Sequence, residues 1–229
     1  MNEHRTRVWD IPTRLFHWAL AALVVAAVVS VKIGGNAMEW HGRFGHAILG
    51  LIVFRLVWGV IGSTYARFAH FVRGPGAIRE YMAGRWSGVG HNPLGALSVV
   101  ALLAVVTFQS TTGLFSNDDI AFSGPLAAAV SSDTSTWLSG WHRRMEWVIY
   151  GLVALHVAAV LFYVLFRRED IVTPMVTGYR ATRVPHPPAR GGGVVAFVVA
   201  LALAAGTVWA TSGVFVEPPP PPPANTPAW

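Results

Sequence analysis

Residues 141–163 read WHRRMEWVIYGLVALHVAAVLFY, a stretch apolar enough for a helix in lipid that nevertheless carries two histidines, His142 and His156. Fourteen residues at about 100° each return the second to within about 40° of the first, on one helix face and about 21 Å further along the axis. An imidazole in a membrane helix is costly to bury and normally turns to a partner in the bundle interior. Two on one stripe at two depths predict two stacked sites.

The rest of the chain supports a membrane reading. Of 229 residues, 53% are hydrophobic and 12% charged, which excludes an ordinary soluble domain. The formal net charge of +6 does not make a nucleic-acid surface, because the charges lie between apolar runs and act as topology signals. With no cysteine, disulfides, thiolate metal sites, cysteine-ligated iron–sulfur clusters and covalent haem attachment are all excluded. The favoured partner for paired neutral imidazoles is haem iron, against the alternative that they are interhelical hydrogen-bond donors or interfacial side chains, and any haem here is b-type, held by ligation and packing alone.

Outward from residues 141–163, four further apolar runs are present. Leu15 to Ile33 follows the basic segment MNEHRTRVWDIPTR and faintly resembles a signal peptide, but it is too long, carries His17 and lacks a cleavage pattern, so it reads as a retained first helix. Asp10 and Thr13 are candidate caps, with Pro12 in the first turn. A second helix is expected from about His41 to Ile61, a short amphipathic helix over Gly76–Ala83, and a third membrane helix from Pro93 to about Phe115. The link 116–140 precedes the fourth, and a fifth run, Val194–Val216, is long enough to cross a core of about 30 Å. The fold class is an all-α integral membrane protein, a four-helix transmembrane bundle binding two b haems with a fifth C-terminal transmembrane helix. Its divisions are 1–180 for the di-haem domain, 181–216 for the linker and fifth helix, and 217–229 for a Pro-rich tail expected as a polyproline rod.

Lys and Arg in alternate loops set the orientation. Arg5, Arg7, Arg14, Arg67, Arg73, Arg79, Arg85, Arg167, Arg168, Arg180, Arg183 and Arg190 fall on one side; Lys32, Arg43, Arg143 and Arg144 fall on the other. The positive-inside rule makes the N-terminus cytoplasmic and the C-terminus periplasmic, in a bacterial inner membrane.

On that topology the membrane histidines pair by depth: His41 with His142 near the outer face, and His17 with His156 in the inner half. His46 competes with His41, since it lies about 140° further round the same helix. Counted along the helices, His17 sits close to the membrane edge and His156 deeper, so the fourth helix is expected to continue beyond the membrane or the first to tilt. Arg55, fourteen residues after His41 and on nearly its face, would meet a haem propionate or snorkel to the headgroups. His91 and Asn92, before the third helix, suggest a quinone hydrogen-bonding site, with Asn92 as a helix cap the competing reading.

The segments VWDIPTRLFHW, HGRFGHAILGLIVFRLVWGVIGSTYARFAHFVRGP, GHNPLGALSVVALLAVVTFQSTTGLF and WHRRMEWVIYGLVALHVAAVLFY resemble the bacterial cytochrome b561 family, which includes the b-type cytochrome subunits of nickel–iron hydrogenases. The resemblance covers about residues 7–180. It implies a four-helix core with two b haems ligated by His17, His41, His142 and His156, passing electrons between the quinone pool and a partner. It favours His41 over His46, because the family's second-helix ligand precedes a glycine by four residues, as His41 precedes Gly45. The fifth helix and proline tail depart from the four-helix pattern and argue against simply assigning a hydrogenase subunit.

The expected function is transmembrane electron transfer between the quinone pool and a periplasmic redox partner, such as a c-type cytochrome or an oxidoreductase subunit docking at the outer face and the Pro-rich tail. Beyond that partner it meets membrane lipid and no nucleic acid. Two rivals remain: a superoxide-oxidising quinone reductase steered by Lys32, Arg43, Arg143 and Arg144, and a haem-free membrane anchor of a larger complex.

Overall fold

The computed structural model describes residues 4–119, 122–182 and 184–217; the proline run from Pro218 lies outside them. Helix α1, Ile11–Ile33, starts where Asp10 accepts the backbone N–H of Thr13 at 2.7 Å and Pro12 occupies the first turn. Of the two candidate caps, Asp10 does the capping and Thr13 is the residue capped. A three-residue link, 34–36, turns the chain into α2, Ala37–Ile61, which begins a turn earlier than its apolar pattern indicates. Helix α3, Phe68–Phe71, and the amphipathic α4, Pro75–Met82, follow. Helix α5, Pro93–Leu114, opens with Asn92 accepting Gly95 N–H at 2.7 Å.

Helix α6, Ser132–Leu165, holds the two histidines that organise the bundle. It begins nine residues before Trp141, because Ser131 caps Thr134 N–H and the polar run SDTSTWLSG continues the helix rather than a link. Its 34 residues rise about 51 Å, longer than the bilayer core of about 30 Å. The excess lies mainly at the end away from the N-terminus. At the other end, Tyr163 is level with the start of α5, where its hydroxyl accepts Asn92 Nδ2–H at 3.0 Å.

Among the described residues four helices, α1, α2, α5 and α6, are long and apolar enough to cross a membrane. After α6 come α7, Val172–Thr177, and α8, Val194–Ala210. The apolar run expected as a fifth crossing is helical for 17 residues, about 25 Å, and then turns. Helix α8 lies along α2, burying Ala200 and Ala204, with Phe197 edge-on to Phe54 at 5.8 Å. Its ends reach opposite ends of the bundle. Just before it, Thr64 N–H donates to Arg190 O at 2.8 Å; just beyond it, Gly213 packs on Pro125 in the loop after α5.

An unanticipated ribbon closes the N-terminal end: β1, His4–Arg7, pairs antiparallel with β2, Tyr179–Thr182. Gly178, at φ +90°, makes the approach possible, because a Cβ there would lie 2.7 Å from Trp9 O. Its carbonyl accepts the N–H groups of both Val8 and Trp9. Residues 4–10, 62–92, 166–182 and 184–193 therefore gather at one end, and 34–36, 115–119, 122–131 and 211–217 at the other, the alternation expected from the basic loops.

Candidate functional site

Two histidine pairs form between α6 and the first two helices. At the end away from the N-terminus, His41 of α2 faces His142 of α6 with ring centres 6.0 Å apart and the rings nearly perpendicular. At the N-terminal end, His17 of α1 faces His156 of α6 at 6.4 Å. An imidazole nitrogen binds a metal at about 2 Å and the ring centre lies about 1 Å behind it, so two axial imidazoles on one ion stand about 6 Å apart. Both pairs have that separation. Among the described residues no group of three or more His, Asp or Glu side chains could hold a metal ion, so the pairs fit axial ligation of a haem rather than a tetrahedral site.

The hydrogen bonds at the outer pair fix its chemistry. His41 Nδ1 lies 2.9 Å from Ala27 O, and His142 Nδ1 lies 3.0 Å from Gln109 O. A carbonyl can only accept, so both Nδ1 atoms carry the proton and each Nε2 keeps its lone pair. Helix α5 holds the His142 ring closely: Gln109 Nε2 donates to His142 O at 3.0 Å and lies 3.2 Å from Nε2, and a Cβ on Gly113 would sit 2.9 Å from Cε1. His46 faces the other way, its Nε2–H donating to Thr211 O at the end of α8 at 3.0 Å. Between the pairs, α6 buries only Ile149.

Arg55 is 3% exposed and, like His17, acts electrostatically on His91, yet its Nη1 has no hydrogen-bond partner among the described residues. Its guanidinium lies over the Phe68 ring at 4.7 Å from the centroid. A buried, unpaired guanidinium donor is the fit expected of a group that receives an anionic oxygen. The snorkelling alternative does not describe it, since Arg55 stays inside the bundle.

His91 packs between Trp9 and Phe71, with ring centres at 4.6 and 4.5 Å, and its Nδ1 is buried without a partner. Burial first, then the positive fields of Arg55 and His17, push its pKa down to about 3. It lines a cavity of about 290 Å³ with Tyr65, His70, Trp86 and His186. Asn92 is occupied elsewhere. Its Oδ1 caps α5 and its Nδ2 bonds Tyr163 and Tyr81, so the capping reading describes it. At the end away from the N-terminus, Lys32 pairs with Glu146 and Arg43 with Glu39, each at 2.5 Å, while Arg143 and Arg144 are exposed.

Sequence reasoning singled out Asp10 only as a cap and did not single out Gln109. Asp10 accepts Trp58 Nε1–H at 3.0 Å and joins α1 to α2. Gln109 was signalled only as an amide inside an otherwise apolar helix.

The family model for prokaryotic cytochrome b561 matches residues 8–178, which hold all four paired histidines. The chain belongs to the prokaryotic cytochrome b561 family. Cytochrome b561 proteins are b-type cytochromes, so haem b is the cofactor the family implies, and electron transfer in a membrane is its work. The chain is similar to the probable Ni/Fe-hydrogenase B-type cytochrome subunit of Cupriavidus necator, 29% identical over 76% of this chain and 86% of that one. The protein of that name from Azotobacter vinelandii is 26% identical over 79% and 90%, and the probable Ni/Fe-hydrogenase 1 B-type cytochrome subunit of Escherichia coli K12 is 23% identical over 76% and 90%. No solved structure matches.

Proposed function

We propose that this cytochrome b561 carries electrons across the membrane through two b haems, one held by His41 and His142 and the other by His17 and His156. The single observation that carries the reading is the pair of imidazole separations, 6.0 and 6.4 Å, at two levels of one helix. Haem b supplies one-electron redox chemistry when bound.

The chain's own residues supply the rest. Ala27 and Gln109 carbonyls hold the outer imidazoles in the Nδ1–H form, ready to ligate through Nε2. The fourteen-residue step along α6 sets the two sites about 21 Å apart along the helix axis, so ligation alone spans most of the hydrocarbon core. Arg55 offers its Nη1 to an inner propionate. His91 offers its buried Nδ1 to a quinone carbonyl in the cavity beside it, without Asn92.

In this reading the N-terminus is cytoplasmic, the membrane is a bacterial inner membrane, and the outer face meets a periplasmic redox enzyme or c-type cytochrome. The names of the relatives support a hydrogenase-type partner. Helix α8 is a fifth crossing that lies against α2, and the chain divides at 180 and 216. The test is reduction of the purified cytochrome in vesicles by a quinol analogue: His91→Phe should slow it several-fold with both haems retained, and an unchanged rate would remove His91 from the quinone site.

A further inference from the structure

We propose that Lys32, Glu146 and Tyr150 form a clasp that closes the seam between α1 and α6, the side of the bundle from which haem enters and leaves the outer site. The inference rests on the two-haem reading above and concerns how the outer haem is retained, not how it is ligated.

Three sides of the four-helix core are closed by helix packing. Helix α1 packs along α2, α2 along α5, and α5 along α6. The first and last of that series, α1 and α6, are joined by side chains at two levels: His17 with His156, and Lys32 with Glu146. At the inner level the segment after α6 also lies across the seam, where Trp18 Nε1–H donates to Met175 O at 3.2 Å and Arg14 donates to Val176 O. At the outer level the ion pair takes that place.

Helix phase puts the clasp on the α1 flank of the histidine stripe. At about 100° per residue, Ile149 and His156 stay within about 40° of His142 on one side, whereas Glu146 and Tyr150 step about 40° and about 80° to the other. That other flank is the one Lys32 meets from the last turn of α1. Its Nζ lies 2.5 Å from Glu146 Oε1, and Tyr150 donates its hydroxyl to the same oxygen at 2.5 Å. The Lys32 cation also stands 5.7 Å from the centre of the Tyr150 ring. The opposite flank is taken by α5, where Gln109 and Gly113 sit against His142. Glu146 lies about 6 Å and Tyr150 about 12 Å inside His142 along the axis, so the three cover the outer half of the seam. A part-exposed ion pair adds little to fold stability. Joining two helices that pack on different neighbours, this one governs instead how readily they part.

The experiment follows transfer of haem from the full-length, haem-loaded chain in detergent to excess apomyoglobin. It compares wild type with Lys32→Gln, Glu146→Gln, the double variant of both, Tyr150→Phe, and the exchanged pair Lys32→Glu with Glu146→Lys. The outer haem is the spectral component missing from His142→Ala. Each single charge variant should speed its loss several-fold and leave the inner haem at the wild-type rate, with Tyr150→Phe speeding it less. The double variant should be no faster than either single one, and the exchange should bring the rate back towards wild type. If Lys32 served a haem propionate instead, Lys32→Gln would lose haem fast and Glu146→Gln would not, which overturns the clasp, as do wild-type rates in both. Should the charge variants fail to load haem, Tyr150→Phe and a covalent lock decide. The chain has no native cysteine, so Lys32→Cys with Glu146→Cys can be joined by a short bismaleimide after haem loading. The locked chain should keep its outer haem longer than the same chain left unjoined, and equal rates overturn the proposal. Wild-type haem content other than two per chain contradicts the two-haem reading itself, a separate failure read before any transfer is followed.

Discussion

Asp10 and Trp58 are joined by a buried hydrogen bond at 3.0 Å between the first turn of α1 and the last of α2. The same carboxylate caps α1 through Thr13 N–H. Asp10→Ala removes a cap worth about 1 kcal/mol and strands a buried indole donor at about 1–3 kcal/mol. The variant should melt several degrees below wild type in detergent, with Asp10→Asn between the two. An unchanged melting temperature would show that the junction between α1 and α2 is held by something else.

His91 makes stability depend on pH. Its folded pKa is about 3 and its ordinary value is 6.5, so between those limits the unfolded chain binds a proton that the folded chain does not. The contribution is complete above pH 6.5 and is lost as pH falls from there towards 3. His70, also depressed by burial and by Arg73 and Arg67, acts with the same sign. Melting temperature should therefore fall on acidification from pH 7 to 4.5, and His91→Phe should flatten that fall. An equally steep profile in the variant would place the acid sensitivity elsewhere.

His46 and His41 share α2 but face different neighbours. His46→Ala breaks a hydrogen bond to Thr211 O and should loosen α8 while leaving haem content intact. His41→Ala should remove the outer haem. Loss of haem from the first variant and not from the second would exchange their roles.

Tyr81 attaches α4 to the bundle through the hydroxyl of Tyr163 and the amide of Asn92. The helix buries no residue of its own. Tyr81→Phe should raise amide exchange across Pro75–Met82 several-fold and leave α5 protected. Uniform protection in the variant would mean that lipid, rather than this cluster, holds α4.

The bundle was legible because lipid imposes a simple rule on sequence: apolar runs of bilayer length, with ionisable groups only where they meet a partner. His142 and His156 declared a shared face by spacing, and depth assigned their partners, which the structure brings within ring contact. Other features were written in weaker signals. The strands HRTR and YRAT lack apolar alternation and depend on Gly178 for their approach, so nothing local marked them. Helix α6 starts at Ser132 because Ser131 caps a polar turn, and hydropathy ignores polar helix. Counting from Arg14 placed His17 near the membrane edge. Helix α1, however, begins at Ile11 and α6 runs on to Leu165, so the two rings meet with each helix continuing past them. Gln109 was not legible as a partner of His142 because the two are 33 residues apart, and one of their bonds uses a backbone carbonyl that every residue has.

The most direct test of the two-site claim is the haem-to-chain ratio of the detergent-purified protein, by pyridine haemochrome, for wild type, His142→Ala and His156→Ala. The account predicts two b haems per chain in wild type and loss of a different one in each variant, seen in reduced-minus-oxidised spectra. A single haem in wild type, or loss of the same spectral component in both variants, would contradict it.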